Sequence, residues 1–510
     1  MEKLYNNIML SDDFTSLPSD AEKVPYLISP PSVIDVSVRR QLFVDDFLIE
    51  ETDLTQKYYK AEKLSCNPVL SPEMPWEKEF SPCACPKSGG VWYDEEEKIF
   101  KMWYEAAWLR NMCYATSRDG VNWDRPNLGI VEGTNIILPY EGYYENNFEF
   151  KGNINYFRPD STAVFIDYEC DKSEKYKLYL RNPGMDFPGI GAVSGDGINF
   201  KKFTFSGDVY DRTTMFYNPF RKKWVISVRD TEFDPFLRIR SYYECDKYPE
   251  EIGWKKGEAK KWMECDELDK PRKEIGFKPH LYNVDCVGYE SIMLGKFQIF
   301  YGPENPDCEK TGTPKITELM PMYSRDGYHF SRPSRDSIIE ASLEKGTWDR
   351  GYIQSVGGTV IINGDELWIY YFGFGGDEEY PDLPWTRNGM YRNGATGIAK
   401  LRRDGFVSMS GKGKLLTRKM VFTGKQDMYI NATGSVKAEI FDENGLLFGE
   451  SKTFEGDSTC QKLEFSNLDI SSICGKTFRI AFHVDGDLYS FGFADEKGDF
   501  GGAHAAGIVK

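Results

Sequence analysis

Long apolar runs are missing from this 510-residue chain. No stretch approaches the roughly 18 consecutive apolar residues that a membrane-spanning helix needs, so no membrane partner is expected. The opening Met1-Glu-Lys-Leu-Tyr-Asn-Asn-Ile-Met-Leu10 also lacks the apolar core and cleavage site of a secretory signal, which points to a cytoplasmic protein. Paired cysteines are scarce: of eleven, only Cys83 and Cys85 lie close together, and no Cys-x-x-Cys occurs. That pattern excludes a disulfide framework or a zinc ribbon and fits reduced, mostly buried thiols. The four histidines, His280, His329, His483 and His504, are too few and too dispersed for a histidine metal centre or a hydrolase triad, so neither metal nor other cofactor is expected. Basic charge is in deficit, with 63 Lys and Arg against 80 Asp and Glu and a net charge of −17. An acidic surface repels polyphosphate chains, which argues against nucleic acid as a partner.

Aromatic residues are what the chain has in abundance. Its 34 Phe, 31 Tyr and 11 Trp supply packed cores and exclude wholesale disorder. They recur in one pattern, an apolar strand, a polar turn and a second aromatic-rich strand, found five times. The copies begin at Gly90, Thr162, Thr214, Gly288 and Thr359, so the intervals are 72, 52, 74 and 71 residues. A second mark, Ser-x-Asp-Gly-x-x-aromatic, follows at Ser117 to Trp123, Ser194 to Phe200 and Ser324 to Phe330, with a degenerate Asp404-Gly405-Phe406. The third copy has lost it, in the region between Leu237 and Trp254. Units of this length are too long for a solenoid rung and suit propeller blades, with Asp-Gly making a tight hairpin and the aromatic packing between blades. The expected fold is all-β: a loosely ordered arm over residues 1–35, a five-bladed β-propeller over 36–416, and a small C-terminal β-sandwich over 417–510, where short alternating strands take over. The strand Gln41–Glu50 is expected to pair with the last blade and close the ring.

In a closed propeller the entrances of the innermost strands meet at the axis, so the candidate chemistry lies there. Blade two offers Asp160 with Arg158, blade three offers Asp211 and Arg212, and blade four offers His280, Tyr282, Asp285 and Glu290. Blade one, Ser81–Ser88, carries no carboxylate, the nearest being Glu77 and Glu79 beside Trp76. Paired carboxylates with separated pKa values are what cleavage of a glycosidic bond requires. Trp76, Trp108, Tyr282, Trp348 and Trp385 are candidates for stacking on sugar rings. Arg158, Arg181, Arg212, Arg229, Arg238 and Arg240 gather around blades two and three, where guanidinium forks suit a uronate carboxylate or a phosphate, or simply pair with acids between strands.

The blades, the Ser-x-Asp-Gly-x-x-Trp hairpins and the terminal strands together resemble the five-bladed-propeller glycoside hydrolases, families 32, 43 and 68 and above all family 32, over roughly residues 40–500. Tyr114 to Trp123 is similar to that family's first-blade hairpin. Its nucleophile motif would fall near Cys85-Pro-Lys-Ser-Gly89, where this chain has no aspartate. Phe157-Arg-Pro-Asp160 is similar to the family's stabilising Arg-Asp-Pro triplet with two residues exchanged, and Tyr289-Glu290 stands where its acid glutamate would. The resemblance therefore implies Asp160 as charge stabiliser and Glu290 as general acid, with Asp45-Asp46, Glu77 or Glu79 as replacements for the missing group. The expected activity is hydrolysis of short oligosaccharides. A phosphorylase of the family 130 type and a carbohydrate-binding protein without catalysis are the alternatives.

Overall fold

The computed structural model describes residues 1–11, 24–79, 81–139, 160–181, 188–234, 236–379, 389–501 and 505–509. The five repeats form five antiparallel sheets, one per blade of a β-propeller. Blade one contains Ala84–Cys85, Val91–Asp94, Ile99–Ala106, Asn111–Ser117 and Ile136–Leu138. Blade two is Asp160–Ile166, Tyr176–Arg181, Pro188–Ser194 and Lys201–Asp208, and blade three is Thr214–Asn218, Lys223–Phe233, Phe236–Cys245 and Lys260–Met263. Blade four is His280–Tyr289, Ile292–Gly302 and Ile316–Ser324; blade five is built on Gly351–Ser355, Ile361–Asn363, Glu366–Phe374 and Gly394–Arg402. Around the axis, the turn Lys87–Gly89 touches Asp160–Ile166, which touches Thr214–Asn218, then His280–Tyr289, then Gly351–Ser355, which returns to Lys87–Gly89. That circuit closes the ring.

Neighbouring blades cover both faces of the middle strands, which is why these strands read as continuous apolar runs rather than alternating ones. Every residue of Ile292–Gly302 is buried, for example. A hydrogen bond from an aromatic side chain stitches each pair of neighbouring blades. Tyr370 Oη of blade five donates to the carbonyl of Gly120 at 2.6 Å, Trp103 Nε1 of blade one to Gly197 at 2.7 Å, and Trp262 Nε1 of blade three to Tyr328 of blade four at 2.7 Å. Tyr248 of blade three donates to the Leu178 carbonyl of blade two, and Tyr289 of blade four to Asp404 of blade five. Four of the five stitches thus fall on the Ser-x-Asp-Gly marks or their degenerate copy, and the fifth lies in the region where the third mark is missing. In each intact mark the serine hydroxyl caps the glycine N–H, as Ser117 does for Gly120 at 2.8 Å, and the glycine has φ of +75° to +78°.

Ring closure differs from the expectation. Glu62–Lys63, not Gln41–Glu50, pairs with the outer strand Gly394–Arg402, and Ile508–Val509 adds in parallel to Ile361–Asn363, so chain from both sides of the propeller staples blade five. Arg40–Leu42 instead joins a ten-stranded sheet with Ile34–Asp35, Ile49–Thr52, Thr55–Tyr58, Val407–Thr417 and the strands after residue 419. Its spine is the antiparallel pair Asp427–Asp442 and Phe478–Ala494, and residue 416 falls within one of its strands. The N-terminal residues are not a loose arm where they are described: Leu4, Ile8, Leu10, Val24 and Tyr26 are buried in the core under this sheet, because their apolar side chains have a face to cover. None of the eleven cysteines is in a disulfide. No helix among the described residues is long and apolar enough to cross a membrane.

Candidate active site at one end of the propeller axis

Each blade delivers side chains to the same end of the axis. The innermost strand of blade one is broken by the turn Lys87–Gly89, and the break puts Lys87 on the axis. Blade two starts its inner strand with Asp160, blade three enters through Asp211 and Arg212, blade four supplies the first half of His280–Tyr289, and blade five supplies Tyr352 and Ser355. Four of these entrances hold a non-glycine residue in the left-handed region: Lys87 at φ 44°, Ser161 at 54°, Arg212 at 60° and Tyr352 at 51°. Such backbone is costly and persists where the surroundings over-determine it, a recurrent property of functional sites.

The Lys87 ammonium, only 1 % exposed, lies 2.7 Å from Glu105 and 3.0 Å from Asp160. Asp160 also accepts from Arg181 at 3.0 Å and from the Ser161 hydroxyl at 3.1 Å. Burial alone would raise the Asp160 pKa, yet Lys87 and Arg181 hold it well below the usual carboxylate range. Glu105 goes the other way: burial lifts its pKa, and Lys87 offsets that only in part. Asp211 is the open member of the set, its side chain 46 % exposed and 3.4 Å from Arg229, which keeps its pKa low against the desolvation of its surroundings. Asp285 is buried and accepts from Asn283 at 2.8 Å and from the Ser355 hydroxyl. Arg240, fully buried, donates to the carbonyls of Arg212, Ser227 and Tyr282 and to Asn283 Oδ1. Burial together with the neighbouring Arg212 and Arg229 pushes its pKa down to about 9.

An aromatic wall stands beside these charges. Trp108 stacks face to face on Tyr391 at 4.2 Å, Phe374 meets its edge at 5.4 Å, and Lys87 Nζ lies 4.3 Å over its ring. Tyr352 and Tyr282 share a hydrogen bond of 2.7 Å between hydroxyls, and Lys315 reaches Tyr282 Oη at 3.4 Å. The arrangement offers an ionised open carboxylate, buried charged groups behind it and flat apolar rings at the side.

No protein-family profile and no curated protein matches the chain. Among solved structures it is similar to an exo-β-1,3-galactanase from Phanerochaete chrysosporium at 10 % identity and a TM-score of 0.39, covering 82 % of this chain and 99 % of that one. It is similar to a glycoside hydrolase family 32 β-fructofuranosidase from Bombyx mori at 10 % identity and a TM-score of 0.38, with coverages of 88 % and 96 %. It is also similar to a β-1,2-mannobiose phosphorylase from Listeria innocua at 10 % identity and a TM-score of 0.43, with coverages of 67 % and 96 %. Glycoside hydrolases and a glycoside phosphorylase are thus among its structural neighbours.

Of the residues singled out in the sequence, the axis brings together Asp160, Asp211, Arg212, Asp285, Trp108 and Tyr282. His280 lies at the edge, buried among Phe236, Phe277 and Phe300 with its Nδ1 3.0 Å from Arg238 Nη1, which is itself paired with Glu304 at 2.8 Å. Arg158 and Trp385 lie outside the described residues, as does His504.

Glu290 is placed elsewhere. The inner strand of blade four begins at His280, eight residues before the copy that starts at Gly288, so Glu290 falls in the hairpin turn at the strand's far end. There it accepts from the Arg40 amide at 3.2 Å and pairs with Arg403 at 3.1 Å, clamping the propeller to the ten-stranded sheet. Trp76 donates to Asn135 at the outer side of blade one, and Trp348 packs on Tyr371 within blade five, so both are packing residues rather than a sugar platform. Glu77 is likewise buried in a structural cluster with Arg125 and Tyr104, and Asp45 is buried against Arg325. Lys87, Glu105, Lys315 and Tyr352 carry no sequence motif. The signal available for Lys87 was its place, a cation at the blade-one position where a carboxylate was sought.

Proposed function

We propose that the axial cluster cleaves glycosidic bonds of short oligosaccharides, as a glycoside hydrolase. The observation that carries this reading is the convergence of Asp160, Asp211 and Asp285 from three consecutive blades beside the Trp108 and Tyr391 wall. Glycosidic cleavage passes through a cationic sugar, and fixed carboxylates stabilise that charge without reorganising. Asp160, held ionised by Lys87 and Arg181, fits the role of a buried stabiliser. Asp211, ionised and open, is the carboxylate that can meet the substrate directly.

A second reading, phosphorolysis, is favoured by the cations at the same end of the axis, Lys87, Arg212, Arg229, Arg240 and Lys315, and would make inorganic phosphate the attacking group. The test is turnover of aryl glycosides and natural disaccharides by the wild type and by Asp160→Asn and Asp211→Asn, with and without phosphate. Loss of about 10²- to 10⁴-fold in kcat is expected for each variant. Turnover only with phosphate selects the second reading, and saccharide binding without any turnover assigns a carbohydrate-binding protein instead.

A further inference from the structure

Among the described residues, Arg212 is the axial cation whose guanidinium makes no hydrogen bond. The residue is 3 % exposed, and none of its Nε, Nη1 or Nη2 atoms makes a hydrogen bond among the described residues. Its neighbours are all engaged. Lys87 serves Glu105 and Asp160, Arg181 serves Asp160, Arg229 serves Asp211, and Arg240 is spent on three carbonyls and an amide oxygen. The backbone of Arg212, by contrast, is pinned. Its N–H donates to Ser161 Oγ at 2.6 Å, its carbonyl accepts from Arg240 at 2.6 Å, and its φ of 60° is held in the left-handed region. Buried guanidinium donors without acceptors are unfavourable, and a backbone fixed at some cost to hold them there marks a group kept for a ligand rather than for the fold.

The missing partner is an oxyanion, and its valence can be argued. One free guanidinium presents two parallel N–H donors, the match for a planar carboxylate. A phosphate dianion would demand more donors, and it would stand next to the ionised Asp211 and near the ionised Asp160. A single negative charge on a flat group fits the vacancy in the charge pattern better than two on a tetrahedral one.

We propose that Arg212 receives the carboxylate of an acidic sugar, so that the substrates of the axial cluster are uronate-bearing glycosides. The proposal rests on the glycoside reading above and names its substrate class.

The test is binding to the full-length protein, followed by calorimetry and ligand-observed NMR, of methyl glucuronide, methyl galacturonide and methyl mannuronide, each against its neutral methyl hexoside, and of inorganic phosphate alone. At least one uronide is expected to bind ten-fold or more tightly than its neutral counterpart. Arg212→Gln should erase that ratio and Arg212→Lys should restore part of it. Because the guanidinium makes no bond in the free protein, Arg212→Gln should melt no lower than the wild type without ligand. A role in the fold would lower the melting temperature instead and overturn the proposal. Neutral hexosides binding as well as every uronide overturns it while leaving the glycoside reading intact. Phosphate binding that Arg212→Gln abolishes, with no uronide preference, assigns the seat to free phosphate and also overturns it. Absence of binding by any saccharide removes the glycoside reading as well.

Discussion

Replacing Lys87 with methionine isolates the energetics of the axial cluster. The substitution keeps the length of the side chain but removes the cation that lies 2.7 Å from Glu105 and 3.0 Å from Asp160. Asp160 retains Arg181 at 3.0 Å, so the loss falls mainly on Glu105, whose other fixed donor is the Leu109 amide at 2.8 Å. Leaving one member of a buried ion pair unpaired typically costs about 3–5 kcal/mol. Glu105 has an escape, because it can take up a proton. From an ordinary value of 4.5, protonation at pH 7 costs about 3.4 kcal/mol at 1.36 kcal/mol per pH unit. That figure caps the penalty near pH 7, and the same arithmetic brings it to about 0.7 kcal/mol at pH 5. The sign follows from the direction of the shift. A carboxyl whose folded pKa is raised destabilises the fold above its unfolded pKa and ceases to do so as pH falls below both values. Unfolding in urea at pH 7 and pH 5, followed by tryptophan fluorescence, measures the difference, and Lys87→Met with Glu105→Gln should recover most of the pH 7 loss. A penalty of the same size at both pH values, or a double variant no better than the single one, would refute the reasoning.

Two further outcomes are expected. Burial, reinforced by Arg238, lowers the His280 pKa to about 4, so between pH 6.5 and 4 the unfolded chain binds a proton that the folded one does not. Stability should therefore drop as pH falls through that window, by about 3 kcal/mol in all; His280→Phe should flatten this part of the profile, and an unchanged slope would count against it. Gly507 sits at φ 115° where a Cβ would lie 2.3 Å from the Tyr93 carbonyl, at the point where the chain staples blade five. Gly507→Val should cost on the order of 2 kcal/mol and lower the melting temperature, and a wild-type melt would show that the staple is dispensable.

The sequence by itself determined the repeat. Aromatic strand pairs at intervals of 52 to 74 residues and the Ser-x-Asp-Gly hairpins are local features, set by side-chain alternation and turn chemistry, and five of them closing on one another follows from the number of copies. It also determined Asp160, Asp211, Arg212 and Asp285 as candidates, because residues at strand entrances reach the axis in any closed propeller. Glu290 shows where that reasoning stops. The apolar run from His280 to Gly302 holds two strands with no Gly-Asn or Asp-Gly turn between them, so the position of the turn was not legible, and an error of eight residues moved a carboxylate from one end of the axis to the other. Closure was beyond reach for a different reason. Glu62–Lys63 and Ile508–Val509 are two-residue strands whose register is set by the edges they meet, not by any periodicity of their own. Lys87 and the free guanidinium of Arg212 were likewise decided only by the tertiary structure. Whether a buried charge is paired depends on groups brought from other blades, and sequence spacing does not contain those distances.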